Sequence, residues 1–400
     1  MISAEEIIYL DNNATTQLDP VAIEEMLPFL TSYYANPSSG YAFAAQVRSA
    51  IDLARKRVAR LLGCEPGEIV FTSGGTEANN TAINSALQLD PQRRHIVTTA
   101  VEHSAVRRLC EELAKRGAEV TFLGVDREGH LDLAELEAAI RPDTAIVSVM
   151  WANNETGVLF PMEKIAEIAR QKRVLLHTDA VQVAGKLPLN LGTSSLNFLA
   201  LSAHKLHGPK GVGALYVNRN TRFRPALIGG GHENGRRAGT ENVAGIVAFG
   251  KAAECAAATM EEEQTRVRAM RDRFENAVLV QVPGAAVNGD RELRLPNTSN
   301  ISFEGIESDG ALMMLDRHRV CCSAASACRT GSAAPSHVLR AMGCSDKQAR
   351  SSLRFSFGRF NREAEVDQAI EIVPRIIAQL RRLSSARSVE QEPSYTGSSE

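Results

Sequence analysis

Short apolar runs of strand character recur along the first half of the chain, and helical patterns separate them. In MEKIAEIARQKR, apolar side chains recur at Ile165, Ile168 and Ala169, a spacing that places them on one face of a helix. Alternation of strands and helices indicates a mostly parallel, mixed α/β sheet flanked by helices, and we predict this large domain over residues 15–255. The strand-like runs are EIVF at 68, HIVTTA at 95, EVTFL at 119, TAIVSVMWA at 144, RVLLH at 173, NFLAL at 197 and GALYV at 213.

The pattern changes after this region. An Ala- and Glu-rich stretch over 244–280 predicts helix, and the runs NTSNISFEG at 297 and SLRFSFGRF at 352 predict strands of a smaller α+β unit. We expect this small domain to combine residues 1–14 with 256–383. The remaining tail, 384–400, contains one valine and one alanine as its aliphatic residues, so we expect it to be disordered.

Composition narrows the class of protein. The 400 residues are 44% hydrophobic and carry a formal net charge of -2, whereas a general phosphate-backbone binder needs an excess of positive charge. The acidic start MISAEEIIYL lacks the parts of a signal peptide, and no apolar run reaches the length of a membrane span. We expect neither nucleic acid nor a membrane as a partner, and a cytoplasmic location.

The seven cysteines predict neither a disulfide framework nor a zinc site. Their number is odd, no C-x-x-C pair occurs, and none is spaced from a histidine as zinc ligands are. We expect no resident metal, while a reactive thiol stays compatible with this set.

Polar side chains follow four of the predicted strands, where ligands of open parallel sheets bind. TSGGTE at 72 has the glycines and hydroxyl groups of a phosphate cradle, although such a turn is also ordinary helix capping. His103 and Asp179 follow two further strands, where a surface histidine and an N-cap aspartate are the simpler interpretations. Lys205, in LSAHKLHGPKG, follows the fourth strand. It is compatible with an amine nucleophile and with a solvated surface lysine.

Together these four features match the requirements of pyridoxal phosphate. This cofactor needs an anion site, a group stacked on its ring, an acidic partner for its pyridine nitrogen and a lysine for its aldehyde. A nucleotide binder is the runner-up, but the chain has no G-x-x-x-x-G-K-[ST] and no well-placed G-x-G-x-x-G. We therefore predict pyridoxal 5'-phosphate as the cofactor.

Longer motifs follow one another along nearly the whole chain, among them YLDNNATT at 9, FTSGGTEANN at 71, VEHSAV at 101, SVMWANNETG at 148, HTDAVQ at 177, AHKLHGPKGVGALYV at 203, GRRAGTEN at 235 and RFSFGRF at 354. Their order resembles the cysteine desulfurases of the class V aminotransferase superfamily, most closely the nitrogen-fixation (NifS-type) branch. The resemblance implies the type I fold of pyridoxal phosphate enzymes and L-cysteine as the substrate. It also implies a role in supplying sulfur for iron–sulfur cluster assembly, related to nitrogenase.

The resemblance also implies a role for each matching residue. Lys205 corresponds to the lysine that bonds to the cofactor and later moves protons at the substrate Cα. His103 corresponds to the histidine stacked on the ring, and Asp179 to the carboxylate that keeps the ring nitrogen protonated. Gln182 corresponds to the donor to the phenolic oxygen, with Asn154 nearby.

The phosphate and substrate sites follow from the same resemblance. Arg354 matches the arginine whose bidentate fork clamps the substrate carboxylate, with Asn154 assisting. Thr240 matches the residue that reaches the phosphate of the other subunit, which is why a homodimer is expected. His207 receives no role. The phosphate-binding set corresponds to Gly75, Thr76, Ser202 and His204.

Cys328, in SACR, matches the loop cysteine whose thiolate takes sulfur from substrate cysteine as a persulfide, leaving alanine. Taken alone, the residue is equally compatible with a buried, small apolar side chain. Ala325 and Arg329 depart from the family pattern. We expect Ala325, in place of a glycine, to stiffen the loop, and the positive charge of Arg329 to favour the Cys328 thiolate. Cys321 and Cys322 are expected to pack in a strand core, with relay or trapping of sulfur as the alternative. A transient contact of Cys328 with an iron–sulfur cluster is compatible with its role.

Other functions would use parts of the same residue set. A selenocysteine lyase would use nearly the same site, and a transaminase or decarboxylase would need no loop thiol. A weakly active scaffold for cluster-assembly partners would bind the cofactor without releasing alanine, although the presence of Lys205, Asp179, His103 and Arg354 together argues against it. An iron–sulfur scaffold protein is the expected sulfur acceptor.

Overall fold

The computed structural model describes residues 6–324 and 335–390, with side chains as far as 383. The strands are β1 (Ile8–Tyr9), β2 (Ile69–Thr72), β3 (His95–Thr99), β4 (Glu119–Leu123), β5 (Thr144–Ser148), β6 (Leu175–Asp179), β7 (Phe198–Ser202), β8 (Gly213–Val217), β9 (Ala285–Val287), β10 (Thr298–Phe303), β11 (Val320–Cys321), β12 (Ser323–Ala324) and β13 (Ser352–Ser356). The helices are α1 (Pro20–Met26), α2 (Pro28–Thr31), α3 (Ala42–Leu62), α4 (Gly75–Leu89), α5 (Ser104–Lys115), α6 (Leu133–Ala139), α7 (Met162–Gln171), α8 (Val243–Ala258), α9 (Met260–Glu262), α10 (Arg268–Gln281), α11 (Ser308–Arg317), α12 (His337–Ala341), α13 (Asp346–Arg350) and α14 (Glu363–Glu390).

The seven strand-like runs of the first half form one sheet in the order β2-β8-β7-β6-β5-β3-β4. Strands β3 to β7 pair in parallel, whereas β8 is antiparallel to both β2 and β7. Every residue of β5 and β7 is buried, as expected for strands covered by helices on both faces. The predicted mostly parallel α/β sheet is therefore confirmed.

Two large hydrophobic clusters lie in the described part of the chain. The first joins this sheet to α3 and α8, and it also includes Val338 and Met342 from the C-terminal third. The second surrounds Phe274, Phe303 and Phe355 and includes Leu10 from the N-terminus. The strands β12-β13-β10-β9 form a second sheet, which contains the two strands expected at 297 and 352. The exact domain boundaries stay a prediction.

Two expectations about helices need correction. The stretch 244–280 is divided after Ala258, where the axis bends by 59° between α8 and Met260–Gln281. The Thr259 hydroxyl donates to the Cys255 carbonyl at 3.0 Å, a side-chain bond that bends helices. Helix α14 continues to Glu390, so the segment from 384 begins as helix instead of disordered chain; it contains good helix formers such as Arg387.

No single described helix has both the length and the apolar composition of a membrane span. The bent pair of α8 with Met260–Gln281 meets these two requirements only jointly.

Candidate active site

Lys205 lies in a one-turn helix, Ala203–Lys205, directly after β7. Its amine Nζ donates to the carbonyl oxygens of Asn13 and Ala14, both at 2.6 Å. Burial, followed by the nearby cations Arg354 and Lys186, lowers the pKa of Lys205 to about 7. The amine is therefore available in its neutral, nucleophilic form near neutral pH.

The turn after β1 contacts Lys205. In the sequence this turn is part of the motif YLDNNATT, and its residues were assigned no role. The Asn13 carbonyl also accepts from Gln182 Nε2 at 3.0 Å. Its side chain donates to Thr298 Oγ1 at 2.8 Å and accepts from Asn297 at 3.0 Å. Asn13 thus joins the lysine to β10, a role for which the run of polar residues between β1 and α1 was the only signal.

Asp179 ends β6 and faces the same edge of the sheet. Its two carboxylate oxygens accept from Asn79 Nδ2 at 2.6 Å and from the Val181 N–H at 3.0 Å. His103 precedes α5, and its Nδ1 accepts from the Ala105 N–H at 3.2 Å. Burial lowers the pKa of His103, with Asp179 acting against this shift and Lys205 adding to it, so the three side chains are electrostatically linked.

The N-terminus of α4 provides the candidate anion site. Gly74, with φ of 151°, adopts a conformation that essentially only glycine reaches, and it leads into Gly75 and Thr76 at the first turn. A Cβ on Gly75 would meet Val181 Cγ2 at 2.8 Å and Ser202 Cβ at 3.6 Å. Val181 and Ser202 thus pack closely on Gly75, and the first N–H groups of α4 precede the intrahelical bonds, as in phosphate sites at helix N-termini.

Two further members of the expected phosphate set differ in their surroundings. His204 Nδ1 is 3.1 Å from Thr15 Oγ1, and burial lowers the pKa of His204 to about 4. Thr240 is exposed and lines a cavity of about 240 Å³ together with Ser73 and Arg237. Thr240 is therefore accessible from outside this chain.

Arg354, on β13, is almost completely buried. Its Nη2 donates to Asp11 Oδ1 at 2.8 Å and its Nη1 to the Asn154 carbonyl at 3.0 Å. Nε has no partner within the described ranges. The sequence did not single out Asp11, which also accepts from Ser323 Oγ at 2.9 Å. The guanidinium is held on one side and keeps a free donor.

Gln182 is buried with its donor already committed. Nε2 bonds to the Asn13 carbonyl, whereas Oε1 finds no partner among the described residues. Its neighbour in the expected set, Asn154, accepts at its carbonyl from Asn13 Nδ2 at 3.2 Å as well as from Arg354. The free atom of Gln182 in this arrangement is thus an acceptor.

Cys328, with Ala325 and Arg329, lies outside the described residues. Ser336, which follows that segment, donates to Glu155 Oε2 at 2.6 Å. Burial raises the pKa of Glu155 to about 7. Cys321 ends β11, and Cys322 packs against the second hydrophobic cluster, where burial raises the pKa of its thiol.

Another buried carboxyl group, Glu102, precedes His103 and was also missed. Its Oε1 accepts from Thr99 Oγ1 at 2.8 Å and from the Met150 N–H at 2.9 Å. Oε2 is buried without a partner in the described part of the chain. Burial raises the pKa of Glu102 to about 8, so it holds the turn before His103 as a neutral acid.

Comparisons with known proteins identify the family of this chain. Cysteine desulfurase 2 of Trichormus variabilis is 52% identical over 378 residues, which cover 94% of this chain and 95% of that protein. Cysteine desulfurase NifS of Azotobacter vinelandii is 51% identical over 94% of each chain. A solved structure of a NifS-like protein is similar with a TM-score of 0.88 at 35% identity, covering 94% of this chain and 100% of that one. The aminotransferase class-V family matches residues 8–369, so the family expected from the motifs is confirmed and this chain belongs to it.

Proposed function

We propose that this chain is a pyridoxal phosphate-dependent cysteine desulfurase, which converts L-cysteine to L-alanine and retains the sulfur on Cys328. The observation that carries the proposal is the position of Lys205: a half-buried amine with a pKa of about 7, electrostatically linked to His103, Asp179 and Arg354. Relatives about half identical over nearly the whole chain carry the name of this activity.

The residues at the strand ends fit the cofactor. The first N–H groups of α4 are the proposed phosphate donors, and Gly75 lets this turn pack against Val181, which an added Cβ would crowd. Asp179 offers a carboxylate to a protonated ring nitrogen, and the buried Gln182 is the proposed amide donor to the phenolic oxygen. When bound, the cofactor supplies an electron sink for bond cleavage in the substrate. Thr76, Ser202 and His204 complete the proposed phosphate set, and His103 the stacking position.

Arg354 and Lys205 divide the work on the substrate. Arg354, held by Asp11 and the Asn154 carbonyl, binds the carboxylate of L-cysteine through its remaining donors. Lys205, with its pKa of about 7, takes a proton from the substrate Cα and returns protons at the same pH. Its two carbonyl partners, on Asn13 and Ala14, hold the ammonium form whenever the lysine carries the proton.

The sulfur step balances without an external oxidant. The Cys328 thiolate attacks the substrate sulfur, the carbon–sulfur bond breaks, and a sulfur–sulfur bond forms on the enzyme. A proton replaces sulfur on the substrate carbon and gives L-alanine. The persulfide then passes to an acceptor, for which we propose an iron–sulfur scaffold protein, in keeping with the NifS name of one relative.

We further propose a homodimer. Thr240 is exposed on this chain and lines a cavity with Ser73 beside the α4 N-terminus. A second copy would place its own Thr240 at this phosphate site. Sedimentation equilibrium of the Thr240→Ala variant and the parent, with cofactor release measured in parallel, tests whether subunit contact supports cofactor binding.

The decisive experiment measures alanine and sulfide released from L-cysteine, with and without a reductant, by the parent protein and by Cys328→Ala. We expect equal amounts of both products from the parent under reductant and neither from the variant. Full alanine release by Cys328→Ala would contradict the persulfide step and favour a transaminase or decarboxylase. A cofactor-loaded parent that releases no alanine would favour the scaffold, and preference for L-selenocysteine in competition would favour the lyase.

A further inference from the structure

A small cavity lies directly behind Lys205, on the side of α8 and α9. It is lined by Lys205 and by a second lysine, Lys186, together with Glu263 and His207. Its volume of about 20 Å³ is enough for one water molecule. Both lysines therefore line one small space within the protein.

Lys186 is fixed in this space. The residue is buried, with 6% of its surface exposed, and its Nζ donates to the Gln182 carbonyl at 3.0 Å. Burial lowers the pKa of Lys186 to about 8, with Glu263 acting against this shift. Glu263 also lines the cavity; burial raises the pKa of its carboxyl, with Lys186 acting against this shift. Lys186 thus keeps its proton more readily than Lys205 does.

The other charges near Lys205 are more nearly compensated. After burial, Arg354 and Lys186 lower the pKa of Lys205, while Asp11 and Asp179 raise it. Arg354 forms an ion pair with Asp11, which reduces the effect of its charge on the pKa of Lys205. A substrate carboxylate bound to Arg354 would reduce this effect further. Lys186 donates to a neutral carbonyl group, so its hydrogen-bond partner does not cancel its charge while it is protonated.

The remaining titratable groups around the cavity do not replace Lys186. Burial, followed by Arg359, lowers the pKa of His207 to about 4, so His207 is neutral near pH 7. Arg359 forms an ion pair with Asp19. Lys186 is consequently the cation of this cavity whose removal would most directly change the charge facing Lys205.

We propose that Lys186 is a positioning residue of the active site: anchored on the Gln182 carbonyl, its buried ammonium group keeps the Lys205 amine neutral and ready to bond to the cofactor aldehyde. This role rests on the proposed function of Lys205. It also fixes Gln182, because the same ammonium group holds the carbonyl of that residue in place.

The test follows the protonation of Lys205 in the full chain freed of cofactor. Reductive methylation by formaldehyde and a borane modifies the neutral amine, and peptide mass spectrometry reads its rate at Lys205 from pH 6 to 9. We expect a midpoint near pH 7 in the parent and a midpoint about one pH unit higher in Lys186→Gln, which slows methylation about fivefold at pH 7. Lys186→Gln removes the charge and retains an N–H donor, on a side chain that is one atom shorter.

Three further variants separate charge from packing. Lys186→Met should shift the midpoint as Lys186→Gln does, whereas Lys186→Arg should keep it near the parental value. His207→Asn changes the same cavity without changing its charge at pH 7, and asparagine tolerates the φ of 62° found there. We expect no shift in this control. Circular dichroism and thermal unfolding identify any variant that has not folded.

An unchanged midpoint in both neutral Lys186 variants would overturn the proposal, as would an equal shift in His207→Asn or a full shift in a folded Lys186→Arg. Because the midpoint is read without cofactor or substrate, its result is independent of desulfuration. A shifted midpoint in a protein that releases no alanine would contradict the proposed function and leave the Lys186 effect standing. Alanine release with an unshifted midpoint would support the proposed function and contradict the Lys186 effect.

Discussion

Arg354 Nη2 lies 2.8 Å from Asp11 Oδ1, an ion pair between residues 343 positions apart in the sequence. The same carboxylate accepts from Ser323 Oγ, and the guanidinium also donates to the Asn154 carbonyl. The arginine is therefore oriented before any substrate arrives. A carboxylate that binds to it meets donors in place, which saves the cost of ordering a long side chain.

Neutralising Asp11 should loosen Arg354. We expect Asp11→Asn to raise the KM for L-cysteine about tenfold with a smaller change in kcat, because a charge-assisted hydrogen bond becomes a neutral one. Steady-state kinetics and titration with L-alanine, followed by the absorbance of the bound cofactor, measure the effect. Ser323→Ala is the control, since it leaves the ion pair in place. An unchanged KM in Asp11→Asn would show that Arg354 needs no such support.

Replacing Arg354 itself should change specificity as well as rate. Lysine cannot reproduce the planar fork that a carboxylate binds, so Arg354→Lys should lower kcat/KM for L-cysteine about 100-fold. The methyl ester of L-cysteine lacks the carboxylate charge, and its kcat/KM should fall much less. The ratio of the two values, measured by alanine and alanine ester release, is the readout. An equal loss on both substrates would place Arg354 outside carboxylate recognition.

The glycine at the start of α4 offers a prediction about the cofactor. Gly75→Ala should weaken binding of pyridoxal phosphate about tenfold, because its Cβ would approach Val181 Cγ2 to 2.8 Å and displace the first turn of α4. Gly40→Ala is the matched control, since nothing lies within 4 Å of an added Cβ there. Absorbance titration of each cofactor-free protein gives the dissociation constants. Equal affinity in all three proteins would exclude this turn from phosphate binding.

Local pattern accounts for most of the sheet and for part of the site. The apolar runs predicted the strands, and the polar residues at their ends include Asp179 and Lys205, which face one edge. Such a prediction needs only the periodicity of the chain and the rule that parallel strands present their carboxyl ends together. It carries no information about which distant segment covers that edge.

The features that the sequence did not reveal depend on long-range contacts. Asp11 and Asn13 belong to the site because β1 brings their turn against β13 and Lys205. Lys186 and Glu102 look like surface charges in a sequence, and only folding buries them. The division of the helix after Ala258 likewise escapes a pattern in which every segment favours helix.

Glu102 predicts how stability changes with pH. Burial raises the pKa of its carboxyl from 4.5 to about 8 in the folded chain. The folded protein therefore keeps a proton that the unfolded chain releases between these values, and the stabilising effect is complete below about pH 4.5. It is lost progressively as pH rises toward 8, by an amount on the order of 4 kcal/mol in the free energy of unfolding.

Replacement by glutamine should remove this pH dependence. Oε1 accepts both hydrogen bonds of Glu102, and Oε2 is unpartnered in the described chain, so an amide can keep the acceptor at Oε1 and stand in for the protonated group. We expect Glu102→Gln to match the parent in urea unfolding at pH 5 and to exceed it at pH 9. Glu155, with its pKa raised to about 7, contributes in the same direction in both proteins and cancels from the comparison. Glu261→Gln, at an exposed carboxylate, should show no such difference. If the parent and Glu102→Gln differ by a constant amount at both pH values, the Glu102 carboxyl is ionised in the folded protein and its burial is compensated by another group.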